Sequence, residues 1–215
     1  MPVFLDTETT GLSPAKGDMI VEIAIVNDDG RTMIDTLVDP GRSIPWQASR
    51  IHGITQEMVR GKPSLTELMP RIMDIVRGEE VVIYNANFDA PFFPGRLAQA
   101  SAIRCAMIQF AEAQGGGRWR KLDVAAQHVG HRWTGAAHRA LADAQACRSV
   151  WQWLRLNHLS SSAGSGSAQA QSSASMPATK TVIICPGCAQ RLRVPEGKRM
   201  EVTCTRCRMK FPAQT

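Results

Sequence analysis

Apolar and polar positions along the chain change period several times, and each change marks an element. Val3 to Glu8 is an apolar run ending in acids and predicts a strand. Ile20 to Val26, rich in Val and Ile, predicts a second, and Asp28-Asp29-Gly30 turns the chain back. Thr32 to Val38 alternates and predicts a third, so the first three strands should form an antiparallel meander. Leu65, Leu68, Met69, Ile72, Met73 and Val76 recur at helical spacing and predict a helix over Thr66 to Val76. Val81 to Tyr84 reads as a buried strand running into Asn85-Ala86-Asn87-Phe88-Asp89. Leu141, Ala144, Cys147, Val150, Trp151 and Leu154 share one face of a long helix predicted over Arg139 to Leu156. The periodicity then stops. From Ser160 to Ser175 half of the residues are serine and the rest are Ala, Gly and Gln, a composition that cannot bury apolar area. The chain thus divides into a body (1–156), a flexible linker (157–179) and a small module (180–215). A linker of about 20 residues reaches roughly 25 Å.

Composition adds a direction. With 44% hydrophobic residues the body can bury a core, and no apolar run approaches the length of a membrane span. The start, Met1-Pro2-Val3-Phe4-Leu5-Asp6, lacks a basic leader followed by an apolar stretch, so a reducing cytoplasm is expected. Residues 1–159 are electrically balanced, with 17 basic and 17 acidic side chains. The net charge of +6 sits in residues 160–215, which carry 8 basic and 2 acidic ones. That suits either a polyanionic partner such as nucleic acid or a merely solvated tail. Cys105 and Cys147 stand alone in apolar surroundings and read as buried small hydrophobes.

Several polar residues stand where structure alone does not require them. Asp6 and Glu8, two apart in a strand, project from one face, so both carboxylates can meet at one metal site. A buried, unpaired charge is costly, and a metal ion would compensate it. Taken alone, the pair could equally be acids on an exposed edge. Asp89 ends a strand and, by itself, reads as a helix cap. His138 and Asp143 are five apart, about 140° net around a helix. The two therefore share a face only if His138 lies in the loop before the helix and Asp143 on it.

Read in order, Asp6-Thr7-Glu8-Thr9-Thr10-Gly11-Leu12, Asn85-Ala86-Asn87-Phe88-Asp89 and His138-Arg139-Ala140-Leu141-Ala142-Asp143-Ala144 resemble the three motifs of the DEDDh (DnaQ-like) 3′→5′ exonucleases. That family includes the proofreading subunit of bacterial replicative polymerase and ribonuclease T. Ile51-His52-Gly53-Ile54-Thr55 resembles a further segment common there, and the resemblance covers about residues 1–156. It implies an α/β, ribonuclease H-like fold, with a five-stranded mixed sheet flanked by helices. It implies that Asp6, Glu8, Asp89 and Asp143 bind two Mg²⁺ or Mn²⁺ ions and that His138 takes a proton from the attacking water. By the same resemblance Leu12 would wedge against the terminal base and Thr9 would help seat the terminal nucleotide. Phe88 could stack on substrate or simply pack. His52 could approach the substrate or cap the helix beginning near Thr55. Arg118, Trp119, Arg120 and Lys121 could grip single-stranded nucleic acid, or form an exposed loop around one buried Trp. Glu22 reads as a supporting acid.

In the last module Cys185-Pro186-Gly187-Cys188 and Cys204-Thr205-Arg206-Cys207 form two Cys-x-x-Cys pairs fifteen residues apart. Four thiolates in that pattern suit one tetrahedral, structural Zn²⁺. The stretch resembles small bacterial zinc ribbons, although Ala189 and Arg208 stand where such knuckles often have Gly. The expected substrate is nucleic acid with a free 3′ end, single-stranded or frayed, with DNA favoured and 5′-mononucleotides as products. A polymerase or repair protein is a possible partner. The competing readings are an RNA-trimming exoribonuclease of the same family and a non-catalytic nucleic-acid-binding adaptor. An adaptor should have lost a metal acid or the histidine, and all five residues are present.

Overall fold

The computed structural model describes residues 1–116, 118–133, 135, 138–159, 180–184, 191–195, 199–203 and 210–214. The chain forms two compact units, Met1–Ser165 and Gly166–Thr215.

The first unit is built on a five-stranded mixed sheet in the order β3-β2-β1-β4-β5. Its strands are β1 (Pro2–Thr9), β2 (Ile20–Asn27), β3 (Thr32–Leu37), β4 (Glu80–Ile83) and β5 (Ala102–Cys105). The first three form the expected antiparallel meander, while β4 and β5 pair in parallel. Helices α1 (Trp46–His52), α2 (Gln56–Val59) and α3 (Leu65–Val76) follow β3. Helix α4 (Ala86–Asp89) follows β4, and α5 (Ala106–Ala113), α6 (Leu122–His128) and α7 (Ala140–Leu154) follow β5.

The sheet is covered on both faces, which is why its central strands read as almost continuous apolar runs. Val3, Leu5, Ile23, Ile25, Val81 and Ile83 pack with Ile72 and Val76 of α3. The alternate positions Phe4, Ala24, Val26 and Val82 pack with Ala144, Cys147, Val150, Trp151 and Leu154 of α7. Strand parity therefore sends the even-numbered side chains of β1 toward α7.

The helix at Leu65–Val76 begins one residue earlier than its periodicity suggested. Ser64 and Glu67 form a reciprocal capping box that fixes the start. β5, α1, α5 and α6 lacked a readable period because each has eight residues or fewer. Cys147 is fully buried as expected, but Cys105 is only half-buried, and its thiol donates to the Tyr84 carbonyl at 3.3 Å.

In the second unit, β6 (Lys180–Ile184) pairs with β7 (Arg191–Pro195) and β8 (Arg199–Thr203) with β9 (Lys210–Gln214), both antiparallel. Cys185, Cys188, Cys204 and Cys207, expected to hold zinc, lie outside the described residues. No helix among the described residues is long and apolar enough to cross a membrane.

Phe4 is fully buried on the central strand, between two partner strands and under α7. Phe4→Ala should lower the free energy of unfolding by about 3–5 kcal/mol in denaturant titration. The exposed Ile51→Ala should stay within about 0.5 kcal/mol of the parent.

Candidate active site

Asp6 and Glu8 follow Phe4 at even positions of β1 and so emerge on the α7 side of the sheet, at the carboxyl end of the strand. Asp143 reaches the same point from the first turn of α7. Carboxylate oxygens of Asp6, Glu8 and Asp143 all lie within 4.8 Å of one another. Asp89 is the last residue of α4, just beyond β4, and is 4% exposed. Its carboxylate accepts a 2.6 Å hydrogen bond from the Thr7 hydroxyl. It stands outside the group of three, yet among the neighbouring acids it is the one that opposes ionisation of Asp6 most strongly.

The cost of gathering these acids is visible in their proton affinities. Burial, then repulsion from Asp89, Asp143, Glu8 and Glu22, pushes Asp6 well above the usual carboxylate range. Burial, then Asp143, pushes Glu8 up to about 8. Burial raises Asp89 to about 7 against the opposing hydrogen bond from Thr7. Burial raises Asp143 to about 6, opposed by the positive charge and backbone of His138. One Asp143 oxygen, Oδ1, is buried with no hydrogen-bond partner. Crowded, desolvated oxygens with an unclaimed acceptor among them fit a hard divalent cation.

His138 lies in the loop two residues ahead of α7, exposed and in the left-handed region at φ 62°. The sequence placed it there by helical geometry. The next residue, Arg139, makes a part-buried ion pair with Glu22. Glu22, 2% exposed, sits directly across from Glu8 in the β1–β2 register. Its carboxylate accepts from Arg139 Nε at 3.0 and 3.1 Å and from Arg139 Nη2 at 2.5 Å. It also accepts from the Ala140 backbone N–H at 2.9 Å, and so caps α7 from another element. The supporting role read for Glu22 gains a specific partner. The clue in the sequence was a lone acid in Ile20-Val21-Glu22-Ile23-Ala24, which requires a compensating partner, but nothing in one strand named Arg139.

The turn after β1 is equally fixed. Thr9 is buried, and its hydroxyl donates to the Gly11 carbonyl at 2.7 Å. A Cβ on Gly11 would lie 2.4 Å from the Asp18 carboxylate, so only glycine fits there. Asp18 in turn accepts from the Ser13 N–H at 2.9 Å. Leu12 is left at the tip, 84% exposed.

His52 is buried rather than turned to solvent, and its Nδ1 accepts from the Ile54 N–H at 3.0 Å, just ahead of α2. Phe88 is half-buried against the α3-side core, with its ring 5.5 Å from Phe92. Of the two readings of this loop, the one with a buried Trp is ruled out, because Trp119 is 64% exposed beside the exposed Arg118, Arg120 and Lys121. Two neighbours were missed by sequence reasoning: Thr7, which anchors Asp89, and Trp133, which lines a pocket beside His138. Thr7 was legible in principle, as a polar residue on the α3-side face of β1, which carries Val3 and Leu5.

A family model described as RNase_T, exonuclease, matches residues 3–150. The chain is 39% identical over 163 residues to an uncharacterised exonuclease of Escherichia phage 186, covering 66% of this chain and 81% of that one. It is 33% identical over 167 residues to the DNA polymerase III subunit epsilon of Treponema pallidum, covering 71% of this chain and 75% of that one. Among solved structures it is similar to Exonuclease X in complex with 5′-overhanging duplex DNA. That likeness has a TM-score of 0.59 and 28% identity, over 73% of this chain and 92% of that one.

A carboxyl whose pKa is higher in the folded than in the unfolded chain keeps its proton longer when folded. Without metal, stability should therefore fall as pH rises from the ordinary carboxyl range near 4 through the values near 6, 7 and 8 of Asp143, Asp89 and Glu8. Thermal melts in chelator should show a lower Tm at pH 8.5 than at pH 5.5. Added Mn²⁺ should raise Tm most at the higher pH. A metal-free Tm that is flat across this window would contradict the site.

Proposed function

The chain belongs to the RNase T exonuclease family as a metal-dependent 3′→5′ exonuclease, and we propose that it releases 5′-mononucleotides from the 3′ ends of single-stranded or frayed DNA. The observation that carries this reading is the convergence of the Asp6, Glu8 and Asp143 carboxylates from β1 and α7, with the buried Asp89 close enough to oppose the ionisation of Asp6 and the exposed His138 just ahead of α7. Asp6, Glu8, Asp89 and Asp143 would hold two Mg²⁺ or Mn²⁺ ions. Bound there, such ions stabilise the charge that builds on the attacking and leaving oxygens of a phosphodiester.

The other tasks belong to the chain. Thr7 keeps Asp89 turned inward. Glu22 and Arg139 fix the first turn of α7, and with it the separation of Asp143 from His138. His138 would accept a proton from the attacking water on an imidazole nitrogen, acting as general base. Thr9 and Leu12 would receive the terminal nucleotide, with Leu12 against its base. Preference for DNA is supported by the relatives, one a DNA polymerase subunit and one crystallised on duplex DNA. The buried ring of His52 is better suited to bracing the wall behind Thr9 than to touching substrate.

For the C-terminal module we propose one structural Zn²⁺ on Cys185, Cys188, Cys204 and Cys207. The module would be a tethered cation-rich hand that raises the local concentration of nucleic acid near the body. A polymerase or repair protein is its alternative ligand.

Digestion of 5′-labelled single- and double-stranded DNA and RNA with Mg²⁺ or Mn²⁺ should give a ladder shortened from the 3′ end, fastest on single-stranded DNA. Asp6→Ala should reduce nucleotide release to the level of a protein-free control while circular dichroism stays native. Residual release by Asp6→Ala would overturn its assigned role. Faster trimming of RNA would favour the exoribonuclease reading.

Deleting residues 160–215 should preserve cleavage but weaken oligonucleotide binding at low salt. Elemental analysis of the full chain should find about one zinc per chain. Unchanged affinity would refute the tail's role, and a zinc-free preparation would refute the ribbon.

A further inference from the structure

We propose that Trp46, backed by Arg50 and flanked by Lys16 and Arg42, is a docking surface for the complementary strand at a duplex end, where it takes the base displaced when the 3′-terminal pair opens. This rests on the exonuclease reading above and adds to it a way of acting on 3′ ends that begin paired.

The surface lies across the Leu12 turn from Asp89. In the sheet order β3-β2-β1-β4-β5, Asp89 stands just beyond β4, on one side of β1. The chain before and after α1 packs through Ile44 and Ile54 against Val21 of β2 and Leu37 of β3, on the other side. The turn that carries Leu12 joins β1 to β2 and stands between them. Two contacts connect the α1 segment to that turn. Arg42 Nη1 donates to the Gly17 carbonyl, and His52, the last residue of α1, lies beside the Thr9 backbone. Trp46 begins the same helix, about 9 Å along its axis from His52. A terminal base resting against Leu12 on the side of the acids leaves its former partner on the far side, toward α1.

The chemistry of this surface suits a nucleic-acid strand. Trp46 is 61% exposed and packs in none of the apolar clusters of the body, so core packing does not account for it. The Arg50 guanidinium lies over its ring, 5.3 Å from the centre. The ring is thus held by a cation while most of its surface stays open. Lys16, Arg42 and Arg50 are all exposed, and residues 40–55 include no acid. The bordering acids are engaged in their own loops: Asp18 accepts from the Ser13 N–H and Asp39 from the Gly41 N–H, each at 2.9 Å. Glu57, on α2, is the next acid along the chain. Cations without interspersed acids favour a polyanion over a protein surface of mixed charge. An aromatic face among cations holds bases and phosphates whatever their sequence.

The energetic logic is one of exchange. Opening a terminal pair unstacks two bases. The one on the strand to be cut is received at Leu12, and a stack on Trp46 compensates the other.

The test uses the full-length protein with Mn²⁺ and one DNA strand, presented either alone or annealed to a longer complement that leaves its 3′ end recessed. For each protein kcat/KM is measured on both substrates, and the ratio of duplex to single strand is taken. In Trp46→Ala that ratio should fall about tenfold below the wild type, the value expected for one lost stack. Arg50→Glu should lower it too, and Trp46→Phe should keep most of it. An equal loss on both substrates, as from misfolding or from a surface that serves the cut strand, would leave the ratio unchanged and overturn the proposal. No loss on either, as expected of a protein-docking face, would overturn it as well. So would a wild type that digests only the single strand. If the wild type releases no nucleotide even from the single strand, the exonuclease reading itself fails, an outcome distinct from all of these.

Discussion

The ion pair between Glu22 and Arg139 is the contact on which the active site is hung. Glu22 is buried in the sheet, opposite Glu8, where an uncompensated charge would be costly. Arg139 satisfies it, and the Ala140 N–H takes one of its oxygens as well. The residues on either side thereby acquire their positions. His138 is pinned in a left-handed conformation on one side of the pair, and Asp143 starts its helix on the other. Because α7 also covers the Phe4 face of the sheet, core packing and the placement of the fourth carboxylate are one constraint.

Around that support, the site concentrates negative charge that the protein alone does not neutralise. Asp6, Glu8, Asp89 and Asp143 all hold their protons above the ordinary carboxylate range, and burial is the first cause for each. Arg139, whose guanidinium lowers the proton affinity of Glu8, is already committed to Glu22. The remaining demand is for a small, strongly charged ion with oxygen preference. The electrostatic imbalance is the functional feature, and the packing below it exists to sustain it.

Much of this was legible in the residues. The parity of Asp6 and Glu8 placed both carboxylates on one face, and helical rotation placed His138 in the loop ahead of Asp143. The meander followed from three β-rich runs and one Asp-Asp-Gly turn. Other features were out of reach because they are contacts between distant segments. The bond from Thr7 to Asp89 spans 82 positions and the bond from Arg139 to Glu22 spans 117, and no local period encodes either. Short elements such as Ala102–Cys105 also escaped, since four residues cannot display an alternation. Trp119 shows a further limit: an aromatic residue among cations gives no sign of whether its face is covered until the surrounding chain is in place.

Strand parity on β1 has one more consequence. Phe4 is buried under α7 by the same alternation that brings Asp6 and Glu8 to the mouth. A slip of one residue in pairing would send the phenylalanine and both acids to the opposite face together. No misregistered chain could therefore keep its carboxylates assembled while losing its core. The same pairing register that builds the core also assembles the acids, so that activity is tied to correct folding.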